Sequence, residues 1–174
     1  MRRASIVLVV LATALTSRAL QAQQQKAPTL GGHIGFVLPL VTDSSGNVTS
    51  LADAPSVGFP MGITVKGGGR TAFDLEFIPQ YNATGPRLTT LTVHPGVLWG
   101  FGGTWAAGIR AAFVINQPTV GFTPLLHKNF PIKDQHGLLK AYFVEADLPV
   151  RFNRPVNAKA TNDVGFAMHF GVAF

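Results

Sequence analysis

Eight stretches of this 174-residue chain alternate large apolar residues with small or polar ones at a strict period of two. A period of two sends successive side chains to opposite faces of a strand, whereas no stretch beyond residue 22 carries the 3.6-residue stripe of an amphipathic helix. The last stretch is the clearest: Val164, Phe166, Met168, Phe170, Val172 and Phe174 oppose Gly165, Ala167, His169, Gly171 and Ala173. The others run over Leu30 to Leu40, Val57 to Val65, Phe73 to Tyr81, Leu91 to Phe101, Trp105 to Ile115, Thr119 to Phe130 and Tyr142 to Val150. The chain therefore reads as all-β.

The connections alternate as well. Those at Thr42 to Ala54, Asn82 to Thr90 and Asn153 to Asp163 are long or polar, while Lys66 to Arg70, Gly100 to Gly103 and Lys133 to Gly137 are tight and carry glycine. Only Asn116 to Pro118 is short on the long side. An even number of strands with short turns at one end predicts a closed eight-stranded antiparallel up-and-down β-barrel.

Such a barrel has two opposite forms, a soluble calyx with its apolar face inward and a membrane barrel with that face outward. The other face carries Gly31, Gly35, Gly58, Gly62, Gly96, Gly108, Gly165 and Gly171 with a few charges. A water-facing exterior has no need of glycine, but the interior of eight strands is only just wide enough for side chains. Lipid accounts for the apolar face, which lacks Asp, Glu, Lys and Arg at mid-strand, since an outward Arg or Lys at mid-membrane costs about 2–4 kcal/mol. Lys140 is the one in-phase charge and sits at a strand start. Trp99, Trp105, Tyr81 and Tyr142 lie near strand ends, where an interfacial aromatic girdle belongs. Charged residues make up 13% of the chain, half of the roughly 25% usual in soluble domains. The absence of cysteine excludes a disulfide scaffold and a thiolate metal site.

Residues 1–22 read as a cleaved signal peptide, leaving 23–174 as the barrel domain. Arg2 and Arg3 precede an apolar run from Ala4 to Leu15, and small residues follow at Ser17, Ala19 and Ala22. Twelve helical residues rise about 18 Å, short of the roughly 30 Å hydrocarbon core. The cut falls after Ala22, with Ala19 the second candidate. Three of the 14 basic residues lie in this leader, so little basicity remains to argue for a nucleic-acid partner.

The ending Phe166-Ala-Met-His-Phe-Gly-Val-Ala-Phe174 resembles the C-terminal strand of bacterial outer-membrane β-barrel proteins, which finishes in Phe with apolar residues at alternate positions. Phe166, Met168, Phe170, Val172 and Phe174 would then be the signal read by the outer-membrane assembly machinery. The resemblance implies insertion into the cell outer membrane after secretion through the inner membrane. In size the chain is similar to the small OmpA/OmpX-like barrels of Gram-negative bacteria. It departs from a tidy barrel at Pro95 and Pro124, which fall mid-strand where a missing N–H breaks the ladder. Pro39, Pro60, Pro79 and Pro149 are nearer the outer rim, where bulges accommodate them.

Inside, the ionisable groups Glu76, His94, Arg110, Glu145, Asp147 and His169 are placed to form a polar network. Symmetric hairpins set His94 opposite Arg110 and Glu145 opposite His169. Buried charges must be paired, so these residues read as an ionic plug, with a proton or ion relay or a gate as the functional alternative. No catalytic, cofactor or metal site is expected. The apolar phase of the well-defined strands lacks the Ser and His of a nucleophile–base pair. His127 and His136, near the periplasmic end, lack an accompanying acid-His-His cluster. The run Gly67-Gly68-Gly69 lacks the Lys-Ser/Thr of a phosphate loop. On the outer side Arg87, Arg151, Arg154 and Lys159 are candidates for lipopolysaccharide phosphates.

The expected protein is a non-enzymatic monomer with a plugged lumen and a structural or surface-interaction role: membrane integrity, adhesion or lipopolysaccharide contact. Its partners are outer-membrane lipids and lipopolysaccharide. The alternatives are a soluble periplasmic lipocalin-like calyx for an apolar ligand and a narrow channel for small hydrophobic solutes.

Overall fold

The structure, a computed structural model, describes residues 27–83, 87–133 and 137–174, with Arg87 described by its backbone alone. The expected leader and its cleavage site lie outside these residues, as does His136. The described chain forms the strands β1 (Thr29–Ser44), β2 (Asn47–Ser50), β3 (Ser56–Gly58), β4 (Met61–Lys66), β5 (Thr71–Asn82) and β6 (Arg87–Gly102). Then come β7 (Trp105–Val114), β8 (Thr119–Pro131), β9 (Ala141–Asp147), β10 (Val150–Asn153) and β11 (Thr161–Ala173). No helix occurs among the described residues.

All strand pairs are antiparallel, and the pairing closes on itself. From β1 it passes through β4, β5, β6, β7, β8, β9 and β11 and returns to β1. Two of the eight expected segments are each broken once. Phe59–Pro60 separates β3 from β4, and Leu148–Pro149 separates β9 from β10. Both halves keep the same neighbours, so the ring counts eight strands. Paired closure of this kind leaves no open edge around the ring.

The prolines explain the breaks. In an antiparallel strand a residue directs its N–H and C=O to the same neighbour. Pro79 accepts from Phe59 N and Pro124 accepts from Leu148 N, each at 2.9 Å. Their missing donors therefore face the interruptions in β3/β4 and β9/β10. At Pro95 the β6–β7 ladder omits His94 and Pro95 yet keeps its register from Val93 opposite Phe113 to Gly96 opposite Arg110. Strands thus run through both mid-strand prolines. After Pro39 a bulge shifts the phase of β1, and Val41 takes the outward place opposite Phe166.

Three connections differ from expectation. The stretch 42–54 is not a long loop: β1 continues to Ser44 and β2 folds back on it, with Ser44 opposite Asn47. Ser45 and Gly46 both have positive φ, at 55° and 93°, as a two-residue turn matching strand twist requires. The β6–β7 turn falls at Gly103–Thr104, preceded by a register shift between Gly100 and Gly102. The connection between β8 and β9 spans 132–140, longer than the tight turn expected at Lys133–Gly137.

The two faces of the ring are opposite in character. Phe73, Phe77, Trp99, Ile109, Phe113 and Phe130 point outward with 40–52% of their surface exposed. Asp74, Glu76, His94, Arg110, Glu145 and His169 point inward and are at most 4% exposed. Water-soluble domains bury apolar side chains and expose charged ones. Here the charges are the core.

Candidate functional site

The interior cluster is built on a device repeated twice, a glycine between two charged partners. Asp74 on β5, Gly96 on β6 and Arg110 on β7 lie side by side in register. Gly96 has no side chain to interpose, so Arg110 crosses β6 and donates Nε–H to Asp74 Oδ2 at 2.8 Å. A Cβ at Gly96 would stand 2.5 Å from Arg110 Cγ. In the same way His33 on β1 faces Gly62 on β4, which faces Glu76 on β5. His33 Nε2 reaches Glu76 Oε1 at 3.0 Å, over a glycine whose Cβ would collide with the His33 ring.

Arg110 then joins these rows to the far wall. Its Nη1 and Nη2 donate to the two oxygens of Glu145, the latter at 3.3 Å, the bidentate fork that suits a carboxylate. Each of the two glutamates holds two histidines. Glu145 accepts from its register neighbours His127 (3.0 Å) and His169 (3.3 Å), and Glu76 accepts from His33 and from His94 at 3.4 Å. Thr64 Oγ1 donates to Asp74 Oδ1 at 2.7 Å. Phe143 fills the space between the imidazoles, with His127 stacked at 5.1 Å and His33 and His169 edge-on at 5.9 and 4.9 Å. Arg151 closes the outer side of the cluster, donating to His94 Nε2 at 3.0 Å and to Thr123 Oγ1 at 3.1 Å. Because Arg151 can only donate, His94 accepts at Nε2 and carries its proton on Nδ1, toward Glu76.

All six residues expected in the interior are buried there, and Glu145 lies opposite His169 as symmetric closure predicts. His94 is not opposite Arg110: it faces Glu76, and Arg110 faces Gly96. The turn at Gly103–Thr104 lies later than symmetric closure requires, and the bulge before it makes up only part of the difference. Asp74, His33 and Thr64 are additional members that share the inward phase. His127, expected near the periplasmic end, belongs to the cluster. Asp147 is buried, but its Oδ1 has no partner among the described residues.

Toward the short-turn end the interior is hollow. A cavity of about 690 Å³ has His33, Asp74, Arg110, His127 and Glu145 at its floor and Lys66, Arg70 and Lys140 among its lining. At the opposite end Arg151 is turned inward, whereas Arg154 and Lys159 are exposed. Arg154 bonds Asn153 O, Thr161 O and Asn162 Oδ1 at 2.9–3.0 Å. The Arg87 side chain lies outside the description. In the closing strand, Phe170 stacks on Phe36 at 5.5 Å, and Phe174 and Gly32 exchange backbone hydrogen bonds of 2.9 Å.

The arrangement is a cross-braced set of acids, imidazoles and two arginines that ties β1, β4, β5, β6, β7, β8, β9, β10 and β11 together. Comparison of the chain with family models, with curated proteins and with solved structures finds no match.

Proposed function

We propose that the chain is a non-enzymatic outer-membrane β-barrel protein whose lumen is sealed by the ionic cluster and whose role is structural or interactive at the membrane surface. The observation that carries this reading is the inverted ring: a continuous outward band of Phe, Trp, Ile, Leu and Val around a charged core. Lipid satisfies the first without cost, and backbone closure satisfies every ladder group where no water reaches. The apolar leader and the Phe-terminated last strand support an outer-membrane destination. Membrane integrity, adhesion and lipopolysaccharide contact are the roles this scaffold suits, the last through exposed Arg154 and Lys159. A calyx for an apolar ligand would need the opposite orientation of the two faces. A conducting channel would need a path past Arg110 and its carboxylates, which fill the middle.

The test is gel mobility with and without boiling, for protein refolded with and without detergent. A compact, heat-modifiable band that forms only with detergent is expected. A monomer soluble without detergent would overturn the membrane reading, and reproducible single-channel conductance would overturn the plug.

A further inference from the structure

We propose that Glu145, Asp147 and His169 form a binding site for one divalent transition-metal ion of the Zn2+ or Mn2+ class. Each residue offers one ligand atom, and the three atoms lie within 4.8 Å of one another. The topology brings them together: Glu145 and Asp147 are two residues apart on β9, hence on one face, and His169 sits directly opposite Glu145 on β11.

A second observation, independent of proximity, points to a ligand. Among the described residues, the buried side-chain nitrogen and oxygen atoms without a hydrogen-bond partner are Asp147 Oδ1 and His169 Nε2. Both belong to this triad, and both residues are more than nine-tenths buried. Buried polar groups in native proteins are paired, and an orphan calls for an ion or a water. An interior rich in acids suits a cation. Asp74, Glu76, Glu145 and Asp147 place four carboxylates in the interior. Arg110 bridges Asp74, Glu76 and Glu145 but not Asp147, while Arg151 donates to His94, Thr123 and backbone carbonyls.

Donor chemistry agrees. His169 donates Nδ1–H to Glu145 Oε1 at 3.3 Å, which leaves the lone pair of the unpartnered Nε2 as the imidazole's ligand. Two carboxylates and an imidazole suit Zn2+ or Mn2+ better than Ca2+ or Mg2+, which prefer oxygen alone. Arg110 holds both oxygens of Glu145, and Asp147, unbonded at Oδ1, is free to turn toward the ion. The argument concerns the interior of the ring and stands whether lipid or water surrounds it.

Asp147 and His169 are buried and do not line the hollow, so the ion is loaded as the ring closes, and the test is made by refolding. The full chain, unfolded and stripped with EDTA, is refolded in micelles with Zn2+, with Mn2+ or with neither, then treated with chelator and analysed for bound metal. About one ion per chain is expected to survive in the compact species. Asp147→Asn should lower retention by at least the roughly 10–100-fold that even outer-shell changes cost a metal site, while Asp163→Asn should leave it unchanged. Compact wild type that retains neither ion, or an Asp147→Asn variant that retains as much as wild type, overturns the proposal. If Asp147→Asn does not fold, Co2+-refolded wild type decides. Intense visible absorption is expected from a low-coordinate nitrogen and oxygen site, and the weak absorption of hydrated Co2+ overturns it.

Discussion

The filled middle of the ring and the hollow at its short-turn end use inward positions of the same strands, yet one is packed with charge and the other is nearly empty. In the middle, Asp74, Glu76, Arg110 and Glu145 interlock across Gly62 and Gly96. Toward the short-turn end, Gly31, Ala72, Gly100, Ala106, Ala141 and Ala173 line an open space. Large side chains are therefore not distributed to fill the cylinder evenly. They are concentrated where each polar group finds a partner, and where no partner is available the chain leaves room for water. A buried ion pair stripped of one member leaves an uncompensated charge, whereas an unfilled end open to solvent strands none.

That contrast can be broken most directly at its centre. Arg110→Met should destabilise the fold by about 3–5 kcal/mol, because three carboxylates lose their shared cation in a dry interior; urea unfolding in micelles measures it. A loss below about 1 kcal/mol would mean that water from the hollow reaches the cluster. On the outward side of the same strand, Ile109→Arg should cost about 2–4 kcal/mol in a bilayer if lipid contacts this position. Equal folding equilibria for the variant and wild type would place Ile109 in water. Gly96→Ala tests the gap that Arg110 crosses. Its Cβ would meet Arg110 Cγ at 2.5 Å and Ile109 O at 2.7 Å, and overpacking of this kind costs about 1–3 kcal/mol. Gly69→Ala, with nothing within 4 Å, serves as the neutral control.

Smaller effects sharpen the same contrast. Ala106→Leu projects into the hollow and should change stability by no more than about 0.5 kcal/mol, a result that thermal melts can compare with Gly96→Ala. Far from the cluster, exposed Asp53 accepts from Ser50 N and Oγ at 2.9 and 2.6 Å, and these bonds hold its carboxyl below the ordinary aspartate range. With a lowered folded pKa, the contribution is present above the ordinary aspartate pKa and is lost as pH falls through the folded value. The protection factor of the Ser50 amide, its exchange rate relative to the intrinsic rate at the same pH, should therefore fall at low pH, and Asp53→Asn should abolish that dependence.

Legibility in the sequence followed how local the deciding geometry was. The opposition of Glu145 and His169 was readable because the chain between them returns symmetrically, the same register running from Val150 opposite Val164 to Ala141 opposite Ala173. The opposition of His94 and Arg110 fails because the turn falls at Gly103–Thr104, later than symmetric closure over Gly100 to Gly103 requires, and the one-residue bulge before it makes up only part of the difference. The β1–β2 hairpin was taken for loop because its turn, Ser45–Gly46, lies among polar residues without an apolar run after it. The bond from Arg110 to Asp74 spans 36 residues and two strand spacings, and no alternation pattern predicts which glycine lies between.

By itself, then, the sequence determined which residues face inward, because alternation is a property of each strand alone. It also determined that the inward face had to be small, since glycine recurs there among few charges. Only the tertiary structure decided who meets whom. Partner choice depends on register, register depends on single-residue bulges and turns, and contacts across a glycine depend on three strands being in place together.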